Sequence, residues 1–415
     1  MPAPIRRVVR LTYAFQLFFG LLVWVPVFYT FQRLAGLDDR QIFGIQSIYY
    51  IVFCLFEIPT GLIADHLGYR RSLTAGGAVL LIANLLPVTA PTYSGFVVHW
   101  VLVALARSLV SGAANAYLYE YLHRNGAVEH YQQAEGNGRA YSLTGKIVCW
   151  PAAGFLMVWW PAAVYWLTAL NAAVAVVVAL LLPALPPAVA PSGAGRPSVV
   201  ATVRGAAGLL RRSPRLAIVM VQGVAVFTLA RICQVNLFQP ILTGKQAPAA
   251  WHGVVMAGMT LFEVAGSARS HWLRRYLSDL AAVSVLTVVL AVCLALVVPA
   301  GAPATAACLC AFSLVVGLAY PVQRKLINEA ITDSRYRATL LSFESIVDRA
   351  VCAGVALLLG GFLAAGRLDE FLLLSTGASA GLMCLLAPLA ALAGRRGHPV
   401  GDVRAVPAPD GVRPG

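Results

Sequence analysis

Apolar runs of about 20 residues recur from one end of this chain to the other, and no other feature restricts its fold as much. A helix that crosses a bilayer needs about 20 such residues. Runs of this length predict helices at about 8–32, 41–64, 72–91, 95–122, 139–160 and 162–184. After a break, six more follow at about 216–242, 251–273, 279–299, 304–330, 338–365 and 369–394. The runs are too long for strands and lack two-residue alternation. Twelve spans would use roughly 240–300 of the 415 residues. Only 12% of residues are charged, against about 25% in soluble domains. That excludes a secreted domain, a disordered chain and an enzyme on a single anchor.

The net charge of +14 would suggest nucleic acid on a soluble protein. Here the basic residues sort by side. Arg6, Arg7, Arg10, Arg70, Arg71, Arg124, Arg139, Arg196, Arg204, Arg211, Arg212, Arg215, Arg274, Arg275, Arg335, Arg337, Arg395, Arg396, Arg404 and Arg413 fall on one face. Arg33, Arg40, Lys245 and Arg367 fall on the other. Positive charge collects in cytoplasmic loops, so both termini are expected in the cytoplasm of an inner-membrane protein. Trp159, Trp160 and Trp251 fall at the opposite interface. The basic start leads into a run without a small-residue cleavage site, which predicts a retained first helix.

Four parts are expected: a six-helix bundle over 1–184, a cytoplasmic linker over 185–215, a second bundle over 216–395 and a disordered tail over 396–415. The linker is rich in Pro, Gly, Ala and Ser, which cannot pack a core. Gly61 with Gly266 and Gly112 with Gly317 share an offset of 205, and Arg139 with Arg337 one of 198, near-equal offsets that a duplicated unit predicts. All eight Cys lie in apolar segments and read as small core residues.

At Glu57–Leu73 the sequence EIPTGLIADHLGYRRSL resembles the signature between the second and third helices of the major facilitator superfamily. The matching positions are Gly61, Asp65, Gly68, Arg70 and Arg71. The fourth-helix Arg and Gly of that family are similar to Arg107 and Gly112, one residue further apart. Pro151 and Gly154 resemble part of the fifth-helix antiporter signature. RATLLSFES over Arg337–Ser345 resembles the junction before the eleventh helix. The resemblance implies an all-α membrane fold of two pseudo-symmetric six-helix bundles. It further implies a secondary transporter, with proton-coupled efflux of a small organic molecule first and proton-linked or facilitated uptake second. A membrane enzyme or sensor on the same scaffold is the rival of another class. Expected partners are a small-molecule substrate, protons and membrane lipid, with no nucleic acid and a monomeric state. Walker, HExxH and nucleophile-elbow motifs are absent from the sequence, so no cofactor, metal or catalytic residue is expected.

Charges within spans cost at least about 2.5 kcal/mol in hydrocarbon, which directs them to the bundle interior or a wet crevice. Arg107, Ser111, Asn115 and Tyr119 follow at steps of four along the fourth helix. Arg107, about 22 Å from its end, either binds substrate or pairs with an acid. Arg231 and Gln234 share a face of the seventh helix. Gln16 and the first-helix aromatic rings Tyr13, Phe15, Phe19, Trp24 and Tyr29 would join the cavity or face lipid. A carboxyl that alternates between an apolar site and a nearby Arg takes and releases protons. Glu263 is the first candidate, then Asp348 and Glu57. Each could instead hold a permanent ion pair, Glu263 with Arg231 and Asp348 with Lys325 or Arg349. Glu57, Glu120 and Lys146 would form pairs near the inner face. Asp65 with its flanking glycines and arginines would latch that face shut.

Overall fold

A computed structural model describes residues 1–185, 204–205, 208–211, 213–270, 272, 277–331 and 337–395. The side chains of residues 58, 61–67, 338, 387 and 390–395 lie outside that description. So do most of the expected linker, the expected tail, and Arg196, Arg212, Arg274, Arg275, Arg335 and Arg396.

The first part of the chain forms α1 (Ala3–Gly20), α2 (Phe28–Leu34), α3 (Asp39–Leu67), α4 (Tyr69–Thr89), α5 (Tyr93–Arg124), α6 (Tyr131–Trp159) and α7 (Ala163–Leu181). The second forms α8 (Pro214–Arg231), α9 (Phe238–Gly244), α10 (Ala249–Arg269), α11 (Asp279–Val297), α12 (Ala302–Ala330), α13 (Arg337–Ala364) and α14 (Leu368–Arg395). Among the described residues ten segments are long and apolar enough to cross a membrane. Runs of this length satisfy every backbone group internally, as hydrocarbon demands.

Two spans depart from the expected continuous helices. The first breaks after Gly20 and resumes through a 3-10 turn at Val25–Val27. There Thr168 accepts from the Val23 N–H, and Asn171 donates to the Leu21 carbonyl. The freed backbone groups are thus met by α7. The seventh passes through a π-helical stretch at Ile232–Leu237. Such stretches recur at functional sites, and this one presents Gln234 and Asn236.

The two parts of the chain meet along two helix pairs, α3 with α13 and α6 with α10. Glycine sets the second crossing. A Cβ on Gly253 would press on the Trp150 carbonyl, and one on Gly154 would lie 2.8 Å from the Ala249 carbonyl. Small residues are what let membrane helices approach so closely. Seven of the eight cysteines are buried or half-buried; Cys384 is exposed, against the expectation that all eight are core residues.

Candidate functional site

A cavity of about 630 Å³ lies between the halves. One face of α6 forms a wall: Arg139, Ser142, Lys146 and Trp150 recur at helical spacing. Arg107 from α5 and Phe19 from α1 join it. Opposite stand Arg231, Gln234, Met256, Met259, Glu263 and Tyr320.

The cavity is sealed at the end away from residues 3 and 214. Gln239 accepts from the Tyr29 N–H at 3.0 Å and donates to the Val25 carbonyl at 3.1 Å. Tyr50 donates to Asn236 at 2.7 Å. Each bond joins one half to the other. Toward the termini, the polar residues Gln133, Asn137 and Arg139 of α6 and Ser267 and Arg269 of α10 are exposed. The crevice opens there.

Glu263 faces the cavity because α12 fixes the backbone beneath it. A Cβ on Gly317 would strike the Glu263 carbonyl, and Ser267 donates to the Gly317 carbonyl. Gln234 donates to the Glu263 carboxylate at 2.9 Å. Glu263 therefore does not pair with Arg231. Arg231 instead grips Asp348 at 2.8 Å, with Thr228 as a further donor. Nor does Asp348 meet Lys325 or Arg349: Lys325 bonds Asp279 at 2.7 Å, and Arg349 pairs with Glu57 across α3 and α13 at 3.6 Å. A second cavity, beside Asp348 and Arg349, also holds the Arg324–Glu344 pair at 2.9 Å. A spacing along one helix cannot name partners on another, so the alternative ion pairs read from the sequence are not the ones that form. Glu263 also stands six residues from the end of α10 (269 − 263), about 9 Å.

The fourth-helix stripe divides. Arg107 lines the cavity and has no acid within 4 Å among the described residues, so the expected ion pair is not formed. Ser111, Asn115 and Tyr119 are exposed and do not line it. Steps of four gain about 40° each over 3.6-residue turns, so Tyr119 has rotated away and stacks on His123. Gln16 lies against Gly138, beside the cavity but not among its lining residues. Of the first-helix rings only Phe19 lines it. Trp24 and Tyr29 are buried in protein, bonded to Asn84 and Asp39. Tyr13 stacks on Tyr141.

Lys146 stands in the cavity over the Trp150 ring, not in an inner-face pair. Glu120 does form a pair, with Arg124 one turn on. Arg139, a cytoplasmic-side charge at the start of the expected fifth span, lies within a helix: α6 begins at Tyr131, two turns earlier than expected, and carries it into the crevice beside Tyr320. Of the gate motif, the side chains of Gly61 and Asp65 lie outside the described residues. Gly68 turns the chain at φ 88°, a conformation open to glycine. Arg70 bonds the Leu180 carbonyl at 2.5 Å, and Arg71 is exposed.

The Major Facilitator Superfamily model matches residues 11–347. The nucleoside transporter NupG superposes with a TM-score of 0.77 at 14% identity, over 94% of this chain and 99% of that one. The POT family transporter PepTSo gives 0.74 at 12% identity, over 96% and 99%. In sequence, 124 residues are 27% identical to the methyl viologen resistance protein SmvA of Salmonella typhimurium. That segment is 29% of this chain and spans a quarter of SmvA. The chain belongs to the Major Facilitator Superfamily, multi-pass membrane proteins that are transporters and not enzymes.

Proposed function

We propose that this chain is a proton-coupled secondary transporter that carries a small organic molecule by alternating access. The carrying observation is Glu263. It is a carboxylate on the wall of the central cavity, held by a neutral amide and not by a cation. Such a group can change protonation without breaking an ion pair. Around it stand Arg139 and Lys146 of α6, Arg231 of α8 and Tyr320 of α12. Asp348, gripped by Arg231, and Glu57, 3.6 Å from Arg349, serve as second and third proton sites in this reading. We take α3 and α10 as spans too, giving twelve, with both termini in the cytoplasm of the inner membrane. The sorting of basic residues supports that orientation. The two bundles then rock about α3–α13 and α6–α10, and the open end faces the cytoplasm. Gly61, Asp65, Gly68, Arg70 and Arg71 act as the cytoplasmic gate of a monomer. Arg107, Arg231 and Gln234 contact the substrate, with Gln16, Ser111, Asn115 and Tyr119 entering only in another state.

Efflux is the direction supported by the segment shared with SmvA. Cotransport inward is the second reading, favoured by the charge of the cavity, because a positive wall welcomes an anion most when Glu263 is neutral. The test uses proteoliposomes with a substrate found by thermal-shift screening. Glu263→Gln should abolish movement driven by a pH gradient and leave exchange partly intact. Gradient-driven transport equal to the parent would make Glu263 structural. An alkaline or acid interior as the condition for accumulation distinguishes the two directions.

A further inference from the structure

The charges of the two cavities do not balance. Arg231 with Asp348, Arg324 with Glu344 and Arg349 with Glu57 form neutral pairs. What remains is Arg107, Arg139 and Lys146 against Glu263 alone. Among the described residues none of these three cations has a carboxylate within 4 Å. A surplus of two positive charges therefore faces the crevice, Lys146 half-buried and Arg107 and Arg139 exposed to its water, and charge of one sign lining a cleft draws ligands of the other.

From this surplus we infer that the transported molecule is a small organic anion: a carboxylate, sulfonate or phosphate on an apolar body. The inference rests on the transport reading above. Arg139 and Lys146 lie seven residues apart on one face of α6, about 10.5 Å along its axis, with Ser142 between them. An acid group between the two meets two charged donors and the Ser142 hydroxyl. Arg107 brings a third charge from α5. The apolar body lies against Met256, Met259 and Trp150 on the deeper walls. Methionine adapts to varied shapes, and the indole offers a flat face. An ammonium compound would find Glu263 alone and be repelled by three cations.

The experiment places a thiol in this field as Ser142→Cys, with Leu143→Cys as the second site should the first fail to fold. Modification at that position is followed by peptide mass spectrometry, so the native cysteines stay in place. Two membrane-impermeant reagents are compared in inside-out and right-side-out vesicles: 2-sulfonatoethyl and 2-trimethylammonioethyl methanethiosulfonate. Each rate is normalised to that of a free thiol. The anionic reagent should be favoured, and Lys146→Gln with Arg139→Gln should lower the preference about tenfold at partly screened distances. No preference, or one unmoved by neutralising both residues, overturns the inference. Aromatic and aliphatic carboxylates then compete against ammonium compounds of the same skeleton. Protection by carboxylates alone is expected; protection by ammonium compounds, or by neither class, overturns it. Modification from one vesicle orientation only would sink alternating access whatever the charge preference, so the two failures are separable.

Discussion

The seal opposite the termini depends on Gly253 having no side chain, and Gly253→Ala puts a number on that dependence. The new methyl would press on the Trp150 carbonyl oxygen, 2.9 Å from its carbon and 3.2 Å from the Gly154 nitrogen. These are backbone atoms of a rigid helix, so no rotamer change relieves the overlap. The helices must part, and overpacking of this kind costs about 1–3 kcal/mol. In the proposed alternating access the cost falls on the sealed state, because α6 and α10 would separate at this level when the crevice opens to the other face. At about 1.4 kcal/mol per factor of ten, the ratio of the two states should move by roughly 5- to 150-fold toward the opposite opening. Pulsed electron resonance between spin labels at Leu34→Cys and Trp251→Cys reads the change. Both residues are exposed, near the sealed end, and on opposite halves. The longer-distance population should grow. As a control, Gly258→Ala meets only Cys310 at 3.3 Å, within its own half, and should leave the distribution alone. A folded Gly253→Ala protein with the parent's distances would refute the idea that this crossing holds the seal.

Other expectations follow from the charged pairs and the buried amides. Arg231→Met leaves Asp348, 2% exposed, without its cation. The loss should be about 3 kcal/mol, the low end for a broken buried pair because Arg231 is itself partly exposed; Arg231→Met with Asp348→Leu should regain most of it by thermal unfolding in detergent. Arg349→Gln removes the tie to Glu57 and loosens α3 against α13, so modification of Cys54, which lies at that contact, should speed several-fold. An unchanged rate would mean the tie holds nothing. Trp24→Phe strands Asn84, fully buried and bonded to the indole at 2.7 Å, at a cost of about 1–3 kcal/mol; an unaltered melting temperature would exclude that accounting.

Hydrophobicity carried the fold into the sequence, because each span must be apolar along its own length and so announces itself locally. The breaks near Gly20 and at Ile232–Leu237 did not announce themselves. They cost backbone bonds that distant residues repair, Thr168 and Asn171 in the first case. Glu263 could be singled out from the sequence, since a carboxylate amid twenty apolar residues is costly wherever it points. Its partner could not, because Gln234 and Arg231 lie on the same turn and only the packing of α8 against α13 decides which of them turns to Asp348.

The basic wall was hidden for a related reason. In the sequence the fifth span starts at about 139, which puts Arg139 at its end, where topology already accounts for a positive charge, and Lys146 two turns in; the helix in fact starts at Tyr131, which places Lys146 at its middle. Orientation in the membrane and binding of an anion ask for the same residue type at neighbouring depths. What separates the two is whether a carboxylate or solvent outside the bundle satisfies the charge. That depends on Asp348, Glu344 and Glu57 each being engaged by another arginine. A surplus is a property of the whole set of pairs, so it emerges only when every partner has been placed. The same reasoning makes the anion-selective cavity sensitive to distant changes: releasing Glu57 or Asp348 from its arginine would free a carboxylate near the crevice and weaken the site without touching Arg107, Arg139 or Lys146.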